Sequence, residues 1–346
     1  MLSMFRGLAR FGIDFCVVAY AVGRYALFGK SPLSSHRLAL MRMHCYSNAR
    51  FSDFLAKLFA PFYGQRRSGK VDGLLGNLSI EGQGAIVAKL NEDGFYIFEE
   101  KLPPELCDAI EKFARETPAV LEGRGSAPAA LEVFDPAHPK SKTYRLREDV
   151  IAQHPGMQKL MADPSILAIA ERYIGATPNL SMLNLWWSAN YGSEPGADAA
   201  QMFHFDFDPP PKWLLFFVYL TDVGANNGPH VYVKGSHKAG HPAASELLKR
   251  GYVRISDEEM ARAFGPENVI EIHGGRGTVL AVDTRGFHKG KVLSEGCRLM
   301  AQLTYSFPVF AGAHGGVEPL KNVSSPDLLN AAHAAPKVFS RYFPAK

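Results

Sequence analysis

Phe203-His204-Phe205-Asp206 and Asp283-Thr284-Arg285-Gly286-Phe287-His288-Lys289-Gly290 decide how this 346-residue chain is read. On an extended strand residues i and i+2 leave the same face, so His204 and Asp206 point together and Phe205 points away. Asp208 continues that face, as a substitute ligand or an orienting neighbour. Alone, a His-x-Asp tripeptide is too common to carry weight. A second histidine on a rigid scaffold changes that. Two imidazoles and one carboxylate bind Fe(II) on one side and leave three coordination positions open to an organic co-substrate and O2. Arg298 follows His288 by ten residues. Its permanently charged, planar fork matches a carboxylate bidentately, which lysine cannot do.

Working outward, the pattern from Leu180 onward is one of short apolar runs divided by Gly, Pro and Asn. It predicts strands over 181–189, 201–207, 213–220, 230–233, 268–273, 278–282, 291–293 and 298–306, as an all-β barrel requires. In the last of these Arg298, Met300, Gln302 and Thr304 share a face, and polar groups there predict a wet or ligand-filled interior. Upstream, Ala85–Leu90 predicts a short helix, Phe95–Phe98 a strand, and Pro104 to about Ala114 a helix. Asp163-Pro164 opens another helix, which Gly175 ends. The tail, 311–346, reads as loop with a short apolar segment at Val338-Phe339.

Apolar content of 47% and charged content of 21% are those of a folded soluble protein. A net charge of +4 excludes a chain-wide nucleic-acid binder. Residues 1–70 nevertheless carry eleven Lys or Arg against Asp14 and Asp53 alone, leaving a mildly acidic remainder. Residues 1–60 read as two helical pieces divided by Gly29-Lys30-Ser31-Pro32, and Arg66-Arg67-Ser68-Gly69-Lys70 reads as an exposed linker. The uncharged run Phe15–Gly23 is shorter than the roughly 20 residues a bilayer span needs. An amphipathic helix is the better description, packed on the body or resting on a membrane through its basic residues. Four scattered cysteines, with no C-x-x-C pair, predict neither zinc nor disulfides and point to a reducing, cytoplasmic setting.

The run Gln201–Tyr305 resembles the phytanoyl-CoA dioxygenase family. The matching elements are His204-Phe205-Asp206, Leu220-Thr221-Asp222, Gly228-Pro229-His230 with Gly235-Ser236-His237-Lys238, and Asp283 with His288 and Arg298. Glu92-Asp93-Gly94-Phe95-Tyr96-Ile97 is similar to the start of the family's barrel, so the resemblance covers roughly residues 85–310. It implies a mainly β fold: a double-stranded β-helix (a jelly-roll, cupin-like core) with helices packed outside. A helical N-terminal extension, 1–75, precedes an oxygenase domain, 76–346. The resemblance also implies Fe(II) held by His204, Asp206 and His288, with Arg298 on the distal carboxylate of 2-oxoglutarate. Phe217 stands where the family often has Trp, and Gly290 where it has a small hydroxyl residue.

His288 is preferred as the third ligand, since His230, His241 and His273 lack a following arginine at suitable distance and His237 belongs to a loop-shaping motif. Lys212 is expected near a co-substrate or substrate anion, with a solvated lysine as the alternative. Asn184 and Trp186 alternate on a strand beside the opening and are expected to face substrate. His230 is expected at the surface or facing substrate. Together these imply hydroxylation of an unactivated carbon in a small-molecule or lipid-like substrate, with release of succinate and CO2. Asp206 argues against halogenation, which needs that ligand absent. The alternatives are a non-catalytic, membrane-associated scaffold on the same barrel, and a metal-dependent enzyme that does not use 2-oxoglutarate.

Overall fold

The computed structural model describes residues 2–65, 69–122, 131–191, 200–311 and 317–344. Its centre is two facing antiparallel sheets. In chain order the strands are β1 (Val71–Gly73), β2 (Gly76–Leu78), β3 (Phe95–Ile97), β4 (Ala119–Glu122), β5 (Leu131–Glu132), β6 (Thr143–Arg145), β7 (Asn179–Ala189), β8 (Trp213–Tyr219), β9 (His230–Val233), β10 (Val269–Ile272), β11 (Val279–Val282), β12 (His288–Gly290) and β13 (Cys297–Ser306). The major sheet runs β3-β11-β8-β13-β7-β6-β4-β5 and the minor one β10-β9-β12. Bridges from His204 to His288 and from Phe203 to Ile255 extend the minor sheet. The fold is a double-stranded β-helix.

The sequence Trp213-Leu-Leu-Phe-Phe-Val-Tyr219 shows why this forms. It is apolar throughout because both faces are covered. Trp213, Leu215, Phe217 and Tyr219 point between the sheets and pack with Tyr232 and Ile272 of the minor sheet. Leu214, Phe216 and Val218 point outward into the main core, under helices. β13 alternates likewise, with Leu299, Ala301, Leu303 and Tyr305 in that core and Arg298, Met300 and Gln302 turned to the space between the sheets.

The helices are α1 (Leu2–Phe28), α2 (Ser34–Tyr46), α3 (Arg50–Tyr63), α4 (Ile80–Asp93), α5 (Pro104–Glu116), α6 (Glu148–Ile151), α7 (Pro155–Ala162), α8 (Pro164–Ile174), α9 (Pro242–Leu248), α10 (Asp257–Phe264) and α11 (Pro326–Ala334). α8 begins where Asp163 accepts from Ser165 N and Ile166 N, and ends at Gly175 in the left-handed region. α4 is longer than Ala85–Leu90: Ser79 caps it and Gly94 closes it. Gly94 is obligatory, because its φ is 90° and a Cβ there would strike the Tyr232 hydroxyl.

Four sequence expectations change. The second N-terminal piece is two helices, broken where Asn48 and Ala49 take positive φ and Asn48 bonds to Gly240 and His241. The tail contains α11, capped by Ser325. The strand expected at 291–293 lies at 288–290, because pairing with β9 fixes it there. The strand expected at 201–207 is reduced to bridges at Phe203 and His204. The expected linker residues Arg66, Arg67 and Ser68 lie outside the described residues. The hairpin β1–β2 spans residue 75, pairing Val71 with Leu78.

The extension is tied to the barrel at several points. Arg285 pairs with Asp53, and the Tyr25 hydroxyl donates to Pro308 O at 2.7 Å. α2 also covers the outer face of the minor sheet, where Cys45 joins Phe203, Phe205, Val231 and Phe287.

Candidate metal and co-substrate site

Two backbone ladders bring the three predicted ligands together. His204 N–H donates to His288 O at 3.0 Å, and His288 N–H returns the bond to His204 O at 2.8 Å. Asp206 N–H donates to Thr284 O at 2.7 Å. The two histidines are thus direct cross-strand partners, and Asp206 follows on the same face. Phe205 and Phe287, the alternating neighbours, enter the apolar cluster under α2 and α9.

The ring orientations are fixed from behind. His204 Nδ1 lies 2.9 Å from Met202 O, and His288 Nδ1 lies 2.9 Å from Gly286 O. A carbonyl can only accept, so each Nδ1 carries the proton and each Nε2 presents a lone pair. Those Nε2 atoms stand 3.7 and 3.6 Å from the two oxygens of Asp206. All three ligand atoms lie within 4.8 Å of one another. Burial, then the neighbouring His288, press the His204 pKa down to about 3 against the pull of Asp206, which keeps the ring neutral and able to ligate. Two imidazoles plus a carboxylate on one side of an open space fit Fe(II).

That space is a cavity of about 450 Å³ between the sheets. Asn184, Trp186 and Ser188 of β7, Phe217 of β8, His230, Gly290, and Arg298, Met300 and Gln302 of β13 line it. Arg298 is its most telling member. Its side chain is buried, donating to Gly228 O and, at 3.2 Å, to Ser188 Oγ, while its Nε has no partner among the described residues. Among the described residues no carboxylate pairs with it, and burial lowers its pKa. A buried, unpaired guanidinium is costly unless an anion completes it. A carboxylate of 2-oxoglutarate fits that need.

Two sequence expectations are corrected here. His230 is buried, with its ring centroid 5.5 Å from that of His288 and 5.1 Å from that of Phe217, and its Nε2 has no partner among the described residues. Burial and the adjacent His288 and Arg298 hold its pKa well below the ordinary value, so it is a neutral imidazole facing the cavity and not a surface group. Lys212 does not reach the cavity. Trp213 turns inward, so its neighbour turns outward, and the Lys212 amine donates to Tyr173 O at 2.6 Å and lies over the Tyr173 ring. Burial, then Arg285, lower its pKa to about 8.

The supports behind the triad were not read from sequence as functional. The Tyr232 hydroxyl donates to Asp283 O, and Ser236 Oγ accepts from Phe287 N at 2.8 Å. Together they fix the loop that carries His288, and a Cβ on Gly286 would collide with Tyr232. The Gly-Ser-His-Lys motif therefore shapes this loop through Ser236. Arg145 and Glu122, paired on β6 and β4, complete the cavity rim.

The family model for phytanoyl-CoA dioxygenase matches residues 90–298. Among solved structures, the chain is similar to SnoN, a non-heme alpha-ketoglutarate-dependent epimerase from nogalamycin biosynthesis (19% identity, 65% of this chain and 83% of that one, TM-score 0.47). It is similar also to EctD from S. alaskensis (19%, 82% and 92%, TM-score 0.45) and to AviO1 from Streptomyces viridochromogenes (16%, 65% and 95%, TM-score 0.42). No curated protein sequence matches the chain. With a matched region spanning most of the barrel and an iron-type donor set inside it, the chain belongs to the phytanoyl-CoA dioxygenase family of Fe(II)- and 2-oxoglutarate-dependent oxygenases.

Proposed function

We propose that the chain hydroxylates an unactivated carbon of a small organic substrate, coupled to conversion of 2-oxoglutarate and O2 into succinate and CO2. One oxygen atom goes to the substrate C–H bond and the other to the new succinate carboxylate. The observation that carries this is the buried guanidinium of Arg298, without an acid partner among the described residues, lining the same cavity as the His204, Asp206 and His288 ligand atoms.

His204, Asp206 and His288 would hold the iron, their protons kept on Nδ1 by Met202 O and Gly286 O. Iron with 2-oxoglutarate bound supplies the oxidising power that the side chains lack. Arg298 would take the distal carboxylate, and Phe217 would bound the co-substrate on the β8 side. Gly290 lacks the hydroxyl that family members place there. Asn184, Trp186 and the unpartnered His230 Nε2 would face the reacting molecule and orient it. The β13–β7 wall would keep bulk water from the reacting carbon. Residues 1–60 would contact a membrane peripherally in the cytoplasm.

The test is succinate formation from 2-oxoglutarate with Fe(II) and ascorbate. Wild type should release succinate, and His204→Ala should bind no iron and release none. Iron-dependent turnover that survives Arg298→Leu unchanged would instead favour a metal enzyme without 2-oxoglutarate. No iron and no 2-oxoglutarate binding in wild type would favour a scaffold.

A further inference from the structure

Residues 1–70 contain two acids, and both are spent on internal pairs. Asp14 is buried and receives two bonds from Arg42, at 2.8 and 2.6 Å. Asp53 pairs with Arg285 of the barrel. What the helices turn outward is the reverse of a water-facing surface. On α1, Asp14, Val18 and Ala21 face the protein, while Ile13, Tyr20 and Leu27 recur on the other side with exposures of 58, 64 and 77%. On α3, Phe54, Leu58 and Phe62 are exposed at four-residue spacing. Twelve of the nineteen exposed large apolar side chains among the described residues lie between positions 11 and 62. Arg10 of α1, Arg37 of α2 and Arg50 and Lys57 of α3 are exposed, as is Lys30 between α1 and α2. Apolar side chains flanked by cations, with both acids held in internal pairs, complement the headgroup zone of an anionic bilayer.

α1 does not have to cross that bilayer. Arg10–Phe28 is long and apolar enough for a span by length and composition, beyond what the run Phe15–Gly23 implies. Yet Asp14 is bound to Arg42, and Tyr25 to Pro308 O. One side of the helix is therefore held to the protein, and only the opposite side is free to enter lipid.

A second cavity, of about 480 Å³, joins this surface to the iron site. Leu38 and Met41 of α2, Phe207 and Trp213 line it, with Arg37 and Tyr252 also on its lining and exposed. Asp206, Met182, Leu215 and Gln302 border both cavities. Its volume falls in the range of about 300–1,000 Å³ usual for ligand pockets. Asp208 and Thr304 line it too, but its apolar members run from the ligand carboxylate to α2, where Leu38 and, just ahead of the helix, Leu33 are exposed.

We propose that α1 and α2 rest on an anionic bilayer and that the second cavity takes the aliphatic chain of an amphiphile drawn from it, presenting a carbon to the site at Asp206. The substrate class is then a membrane amphiphile, and Arg37 at the mouth meets its anionic head. Only the oxidation itself rests on the oxygenase reading. A second copy of the chain is a poorer occupant of this face, since isologous pairing would set the basic surface against itself.

Full-length protein without iron or 2-oxoglutarate is sedimented with phosphatidylcholine vesicles, with and without phosphatidylglycerol. Binding should require phosphatidylglycerol, weaken with salt, and fall at least about tenfold in Phe15→Glu/Leu27→Glu, whose altered positions are exposed. Equal binding by the double variant overturns the proposal. So does a dimer, seen by light scattering, that the double variant abolishes. In a second arm, a brominated fatty acid should quench tryptophan fluorescence saturably through contact with Trp213. Met41→Glu should remove that quenching, and Leu38→Glu, altered at an exposed position, should weaken it if Met41→Glu fails to fold. Non-saturable quenching, or quenching untouched in the folded variants, overturns the channel. Neither arm involves turnover, so both outcomes are separable from failure of the oxygenase reading.

Discussion

Asp283 and His288 stand at the two ends of one loop, yet the two charge clusters they belong to are built in opposite ways. Around Asp283 everything is closed. Its oxygens accept from Arg285 N, Nε and Nη2 and from the Tyr173 hydroxyl, and Arg285 Nη1 passes on to Asp53. Around His288 everything is left open. Two Nε2 lone pairs face a half-exposed carboxylate, and Arg298 is buried with no acid partner among the described residues. Low exposure alone does not separate the clusters, since Arg285 and Arg298 are equally buried at 6%. Pairing separates them. The closed cluster locks the extension to the barrel, and the open one is shaped for ligands that the chain does not itself supply.

The largest effect should come from breaking the open cluster at its ligands. His288→Ala should lower iron-dependent succinate release by more than about 10²-fold, beyond the 10–100-fold usual for groups that only orient ligands. Arg298→Leu should retain iron yet lose about 2–5 kcal/mol of 2-oxoglutarate binding. That would appear as a raised KM for 2-oxoglutarate in steady-state assays.

Breaking the closed cluster should act on stability instead. Asp283→Asn leaves a buried guanidinium half-paired and should cost about 3–5 kcal/mol, read by denaturant unfolding at neutral pH. Its pH dependence has a definite sign. Burial alone would raise the Asp283 pKa above its ordinary 3.8, but Arg285 reverses this and holds it well below. The carboxylate's contribution is therefore complete above that ordinary value and is lost as pH falls beneath it toward the folded-state value. Unfolding free energy should fall with acid below pH 3.8 less steeply in Asp283→Asn than in wild type.

The smallest expected change is a gain. Among the described residues a Cβ at Gly290 would meet nothing closer than Ala200 O at 3.9 Å and Arg298 Nη2 at 4.0 Å. Gly290→Ser should fit without strain and, by adding one hydroxyl donor worth about 0.5–1.5 kcal/mol, lower the KM for 2-oxoglutarate a few-fold.

The same contrast marks what was legible in the sequence. Short apolar runs bounded by Gly, Pro and Asn made β7, β8, β9 and β13 readable, and the two-residue strand period put Arg298, Met300 and Gln302 on one face. The i, i+2 rule placed His204 beside Asp206, and the structure brings His288 to them. β12 was placed late because Lys289 and Gly290 carry little strand preference, and only its ladder with β9 fixes it. Lys212 was misplaced because nearness in sequence to the ligand strand says nothing about side. Trp213 turns inward, so Lys212 turns away. His230, the orphaned Arg298 Nε and the α2 wall of the second cavity depend on contacts between segments far apart in the chain, which no local pattern encodes.

Anaerobic equilibrium binding of Fe(II) and 2-oxoglutarate tests the open cluster most directly. Wild type should take up one Fe(II) per chain, then one 2-oxoglutarate that binds tightly only with iron present. The His204→Ala/His288→Ala variant should bind neither. Stoichiometric 2-oxoglutarate binding without metal, or iron held with equal affinity by the double variant, would contradict the account.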